Sequence, residues 1–231
     1  MAAIVGGGRG ARPGEISLAH NGVLFMDEFP EFGRTVLESL RQPIETGEVV
    51  VARANAHVRY PCKFMLVAAA NPCKCGYLAD AGRACSRAPQ CGDDYMGRIS
   101  GPLMDRFDLR VEVPPVAYTD LDGAATGPGS AQIAETVARA RDRQRERFKN
   151  SRSMTTNADL SGSALTEAAQ PDGEGRALLV KVAERFGLSA RGYHRVLRVA
   201  RTIADLEGAA EVRKPHVAEA VSFRLAFTKE F

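Results

Sequence analysis

Residues 23–28 read Val-Leu-Phe-Met-Asp-Glu: four apolar residues run straight into two adjacent carboxylates. A run this short and apolar suits a strand covered on both faces, as in a parallel sheet. Ligands of such sheets bind beyond the strand carboxyl ends, which is where Asp27 and Glu28 fall. One carboxylate can hold a metal through water while its neighbour polarises an attacking water. That is the Walker B half of a nucleotide hydrolase. An acidic surface pair that merely ends a strand has the same residues, and the pair alone leaves both readings open.

The rest of the first half also alternates strand-like and helix-like stretches. Residues 34–40 carry apolar positions at helical spacing (Val36, Leu37, Leu40). Residues 47–60 read as two strands around a turn at Ala54-Asn55. Residues 64–70 form a second buried-strand candidate ending at Asn71, and Leu109–Val113 a third, stopped by Pro114-Pro115. Residues 122–130 are rich in Gly, Ala, Ser and Pro and read as a linker. Beyond them the patterning is helical, over 133–149, 176–186, 190–206 and 215–227. The expected architecture is an α/β domain at 1–116, a linker at 117–130 and an all-α domain at 131–231.

At 231 residues, with 45% hydrophobic and 26% charged residues, the chain has ordinary globular composition. A net charge of +3 points to no particular partner. No apolar run approaches the ~18 residues needed to span a membrane, and the amino terminus lacks a signal-peptide stretch. Cytoplasm is the expected compartment, where cysteines serve as thiols or metal ligands rather than disulfides.

Four blocks extend the first observation. They are residues 13–32, ending in Val-Leu-Phe-Met-Asp-Glu-Phe-Pro-Glu-Phe; 70–77 (Ala-Asn-Pro-Cys-Lys-Cys-Gly-Tyr); 98–109 (Arg-Ile-Ser-Gly-Pro-Leu-Met-Asp-Arg-Phe-Asp-Leu); and 188–206, beginning Leu-Ser-Ala-Arg-Gly-Tyr-His-Arg. In content and order they resemble the magnesium-chelatase-like AAA+ ATPases, and among these the ComM/YifB competence-related branch. The resemblance implies a truncated AAA+ core followed by an all-α helical lid. It also implies ATP and Mg2+ as cofactors, with Asp27 holding Mg2+ through water and Glu28 polarising the attacking water. The expected complete assembly is a homo-hexamer that moves DNA, with branch migration in natural transformation and recombination as its task and no membrane partner. A magnesium-chelatase ATPase subunit of tetrapyrrole synthesis is the alternative, and a degenerate, non-hydrolysing remnant a third.

A phosphate-binding loop needs Gly-x-x-x-x-Gly-Lys-Ser/Thr, and no Gly-Lys occurs here. Gly6-Gly7-Gly8-Arg9-Gly10 is Gly-rich but carries no Lys-Ser/Thr. The resemblance places that loop upstream, so the chain is expected to be the carboxyl-terminal part of a longer protein and to be inactive alone.

Further site residues follow from the resemblance. Asn71, at a strand end, matches the first sensor; a turn-forming Asn-Pro is the plainer reading. Arg106, in Met-Asp-Arg-Phe-Asp, matches an arginine finger offered to a neighbouring subunit; an ion pair with Asp105 or Asp108 is its rival. Arg191, opening a helix, matches the second sensor, while Arg195, Arg198 and Arg201 read as solvated or interface charges. Arg53, near the tip of the 49–60 hairpin, is placed to track a DNA backbone. The arginines of 133–149 spread around their helix and read as solvated.

Cys73, Cys75, Cys85 and Cys91 lie in one short polar segment. Four thiolates suit tetrahedral zinc, but the spacing matches no standard zinc knuckle, and free thiols are the competing expectation.

Overall fold

The computed structural model describes residues 2–8, 10–53, 56–78, 82–116 and 127–225. The chain divides into two compact units, Met1–Phe107 and Asp108–Phe231.

Among the described residues, the first unit is built on three two-stranded ladders. Helix α1 (Ala2–Val5) leads into β1 (Gly6–Gly7), which pairs antiparallel with β2 (Arg12–Pro13). Close backbone approach requires Gly14 there, since a Cβ would sit 2.4 Å from the Ile4 carbonyl oxygen. Helix α2 (Glu15–Leu18) follows, and then β3 (Val23–Met26), the apolar run. Its partner is β6 (Met65–Ala68), parallel and in register from Val23↔Met65 to Met26↔Ala68. Between them lie α3 (Arg34–Ser39), α4 (Arg41–Thr46) and the hairpin of β4 (Glu48–Arg53) and β5 (Ala56–Pro61). Short helices α5 (Gln90–Met96) and α6 (Gly101–Met104) complete the unit. Ile16, Met26, Phe29, Leu37, Leu40, Val49, Cys62 and Leu103 form its core.

One face of the β3–β6 pair is left outward. Val23, Phe25, Met65 and Val67 are all exposed, Phe25 by 61%, and the register sets them directly opposite one another. Parallel strands normally have both faces covered.

The second unit is helical: α7 (Ser130–Phe148), α8 (Gly162–Ala169), α9 (Gly173–Phe186), α10 (Ala190–Glu207) and α11 (Lys214–Leu225). Its boundaries are written in capping chemistry. Asp172 and Ser189 accept the Gly175 and Gly192 amides at 2.7 and 3.0 Å, and Gly187 and Gly208 end α9 and α10 in the left-handed region. Helix α10 packs against α7, α8 and α11, burying Val196, Leu197, Ala200, Ile203 and Ala204.

Two sequence expectations need correction. Leu109–Val113 is not a strand: it pairs with no described strand, and Leu109, Val111 and Val113 are exposed. Arg201 is not solvated. It is 2% exposed, donates to the Ala209 and Ala210 carbonyls and lies 3.1 Å from the buried Asp205 carboxylate. Arg198 is committed as well, to the Leu160 carbonyl at 2.8 Å, and burial, then the nearby Arg195 charge, pull its pKa down. The turn at Ala54-Asn55, part of the linker and residues 226–231 lie outside the described residues.

Candidate functional site

Asp27 and Glu28 leave the sheet together. Ala69 on the neighbouring strand donates its amide to the Met26 carbonyl at 3.0 Å and accepts the Phe29 amide at 2.9 Å. Two residues on one strand therefore oppose one on the other, and the pair is pushed outward. Phe29 and Pro30 anchor the far side in the core. Glu28 pays for the turn with φ 49°, a left-handed conformation that costs a non-glycine residue about 1–3 kcal/mol. Its amide donates to Asp27 Oδ1 at 2.8 Å, and its carbonyl accepts the Glu31 amide at 2.7 Å. Both side chains are exposed at the carboxyl end of β3.

Asn71 stands two residues past Ala69, at the same end of the adjacent parallel strand, and is exposed. Pro72 behind it favours extended backbone at Asn71. The structure thus brings the carboxylate pair and the amide to one edge of one sheet.

Three neighbours went unread in the sequence. Glu31 adds a third carboxylate, tied to Arg98 at 3.1 Å. Arg98 also donates to the Pro30 carbonyl and lies over the Tyr95 ring, 5.9 Å from its centroid. Tyr95 is buried, and its phenol is pushed above the ordinary range by that burial, then by the charges of Glu31 and Glu28. The edge therefore carries a negative field, which suits a hard divalent cation with oxygen ligands. Only the Arg-Ile-Ser block hinted at Arg98.

Arg106 is held inside the first unit and is 8% exposed. It donates from Nε to the Arg41 carbonyl at 3.0 Å, from Nη1 to the Pro102 carbonyl at 2.6 Å, and from Nη2 to Glu45 Oε2 at 2.5 Å. Glu45 lies 61 residues away in sequence, beyond any local signal. In the second unit, Asp108 pairs with Arg195 at 2.6 Å.

The hairpin forms with Arg53 opposite Ala56, the last pair before the tip. The Arg53 side chain lies outside the described residues. Arg59 pairs with Glu48 across the ladder at 3.1 Å, and Val49 and Val51 are buried. Arg191 is exposed in the first turn of α10, behind the Ser189 cap. On α7, Arg139, Arg145 and Lys149 pair with acids of their own helix, while Arg143 and Arg147 turn to Asp205.

The cysteines converge. Cys73, Cys75 and Cys91 place their sulfurs within 4.8 Å of one another, with Cys73 and Cys75 only 3.0 Å apart. Cys85 reaches both the Cys75 and the Cys91 thiols. Hydrogen bonds from the Cys73 thiol and then the Tyr77 amide pull Cys75 down to about 7, whereas the Cys85 thiol pushes Cys91 up to about 12. Cys62 is separate, buried near the Pro43 carbonyl.

The magnesium chelatase subunit ChlI family matches residues 1–121, and the ChlI carboxyl-terminal family matches residues 127–224. The chain is 44% identical over 225 residues to the competence protein ComM of Haemophilus influenzae and 41% identical to YifB of Escherichia coli K12. The chain belongs to the ComM/YifB magnesium-chelatase-like family. Both alignments cover 97% of this chain but 43% of the relative, so the chain spans less than half the length of these ComM/YifB proteins. The magnesium-chelatase 38 kDa subunit of Acidiphilium rubrum is more distant, 27% identical over 228 residues, covering 93% of this chain and 55% of that protein. Membership carries the AAA+ class with it, and a mostly helical second unit accords with the ChlI carboxyl-terminal match. No helix among the described residues is long and apolar enough to cross a membrane.

Proposed function

We propose that this chain supplies the Walker B, sensor and lid parts of an AAA+ ATPase that moves DNA. The observation that carries the reading is the shared edge of β3 and β6, where Asp27, Glu28 and Asn71 stand together. Asp27 would hold Mg2+ through water, and Glu28 would take the proton of the attacking water. Asn71 would orient that water by hydrogen bonding. The exposed carboxylates and the negative field fit the metal. The residues for a phosphate cradle are not in this sequence, which has no Gly-Lys pair. Hydrolysis is therefore proposed for the chain joined to a polypeptide bearing a phosphate loop. The outward apolar face of Val23, Phe25, Met65 and Val67 supports a core that continues beyond these strands.

Arg106 would act on a neighbour's nucleotide within a homo-hexamer, and Arg191 would reach phosphate from the helical unit. The internal ties of Arg106 mean it must exchange them for phosphate oxygens on assembly.

The task follows the nearer relatives. ComM is named for competence, and it is far closer in identity than the chelatase subunits. We accordingly infer DNA branch migration during uptake and recombination, with the hairpin tracking the backbone. The test is DNA affinity of the completed protein against salt. Arg53→Ala should weaken binding across all sequences and lower the salt slope by about one. Absence of DNA binding, with ATPase stimulation by a porphyrin-handling partner, would establish the chelatase reading instead.

A further inference from the structure

We propose that Cys73, Cys75, Cys85 and Cys91 hold one structural zinc ion, which clips the segment leaving the β6 edge to helix α5. The proposal is independent of the ATPase reading. It rests on where three thiols meet with a fourth beside them, and on what the surrounding chain lacks.

Three of the sulfurs already lie within 4.8 Å of one another, and Cys85 stands outside that trio, with a side-chain interaction to Cys75 and to Cys91. In tetrahedral zinc with Zn–S bonds of about 2.3 Å, sulfurs sit about 3.8 Å apart. The Cys73–Cys75 separation of 3.0 Å must open by less than an ångström to reach that value. The Tyr77 amide donates to the Cys75 sulfur, a bond that steadies a metal-bound thiolate. Gly76, at φ +79°, sits in the turn after Cys75 and donates its amide to the Cys73 carbonyl at 3.0 Å. At the other end, Gly92 lets α5 come close: a Cβ there would stand 2.6 Å from Leu78 and 3.2 Å from the Pro72 carbonyl oxygen. This approach carries Cys91 to the buried Cys73.

Between Asn71 and Cys91 the sequence holds one large aliphatic residue, Leu78. Such a segment cannot bury enough apolar surface to order itself, and a bound metal is the usual substitute. Four thiolates around Zn2+ leave two net negative charges, and the same segment supplies Lys74 and Arg83 against Asp80, while Arg87 is paired with Asp94. Each thiol releases its proton to solvent as it binds. A clip here bears on Asn71, which lies two residues before Cys73.

The test uses the full chain, purified without an affinity tag under reducing conditions and without chelator. Elemental analysis should find about one zinc per chain. Stripping the metal should make four thiols react quickly with a disulfide reagent, while buried Cys62 stays slow. Cobalt(II) added to the stripped protein should give the intense visible bands of tetrahedral four-sulfur coordination. Cys75→Ser and Cys91→Ser should each weaken retention by at least about tenfold, the lower end of the loss seen for outer-shell changes. Cys62→Ala should retain the metal. A chain without zinc whose four thiols titrate freely overturns the proposal. So does a Cys73–Cys75 disulfide in the reduced preparation, an iron–sulfur chromophore, or a pale octahedral cobalt spectrum. Should a serine variant fail to fold, the cobalt spectrum of the unsubstituted chain decides alone.

Discussion

Asp205→Ala should break the helical unit's most buried charge network. The carboxylate is fully buried. Arg147 donates to it from both terminal nitrogens, at 2.8 and 2.5 Å, and Asn157 donates at 2.8 Å. Arg201 adds an ion pair at 3.1 Å. Burial alone would raise the Asp205 pKa, but the bonds from Arg147 and Asn157, with the Arg201 charge, overcome it and hold the pKa below the usual value. Alanine would leave Arg201 buried beside no anion. Removing one partner of a buried pair costs about 3–5 kcal/mol. With a urea slope near 2 kcal/mol per molar, the midpoint should fall by roughly 2 M. Far-ultraviolet circular dichroism will read this transition, since the second unit is mostly helix. Because the folded pKa is depressed, the Asp205 contribution is complete above the unfolded pKa and is lost as pH falls through the folded value. The gap between the two proteins should thus hold steady at neutral pH and close only below the ordinary aspartate range. Arg201→Met with Asp205→Leu should recover only the share due to Arg201, because Arg147 and Asn157 still lose their acceptor. A midpoint change equivalent to less than about 1 kcal/mol for Asp205→Ala would refute the network's importance.

Two functional predictions accompany it. The 231-residue chain alone should show no Asp27-dependent ATP turnover in a phosphate-release assay, because its sequence has no Gly-Lys pair of a phosphate-binding loop. In the completed protein, Arg106→Ala should abolish turnover and spare ATP binding, whereas Glu45→Gln, which removes only the charged one of its three internal partners, should keep turnover. Equal losses in both would make Arg106 an internal tie. Mixing Arg106→Ala with Glu28→Gln subunits should restore some activity if the site is shared; activity no higher than the sum of the two mutants, with exchange shown separately, would argue against sharing.

What the sequence revealed depended on how local the cause was. The apolar run at Val23 and the strand before Asn71 declared themselves because period and composition are local properties. Their shared edge followed from the parallel pairing that such runs adopt. The extended reading of Leu109–Val113 failed because alternation describes a surface able to pair, and no described strand pairs with it. Arg201 was misread because a charged residue at helical spacing looks solvated. Its partners are Asp205, one turn along, and carbonyls beyond the helix end, while Arg147 joins the same carboxylate from 58 residues away. The Glu45 tie of Arg106 spans 61 residues and left no trace in either block. The cysteine spacing gave no motif, because the cluster closes through the short helix at Cys91 and the space left by Gly92.

The central claim, that Asp27 and Glu28 form the hydrolytic end of an ATPase, is tested most directly by one substitution in the completed protein. Glu28→Gln keeps the shape and the strained turn but cannot accept a proton from water. ATP affinity and steady-state turnover should be measured on the same preparation. The account predicts near-normal ATP affinity with turnover reduced by about 100-fold or more, the scale on which general bases act. Near-normal turnover in Glu28→Gln would contradict it.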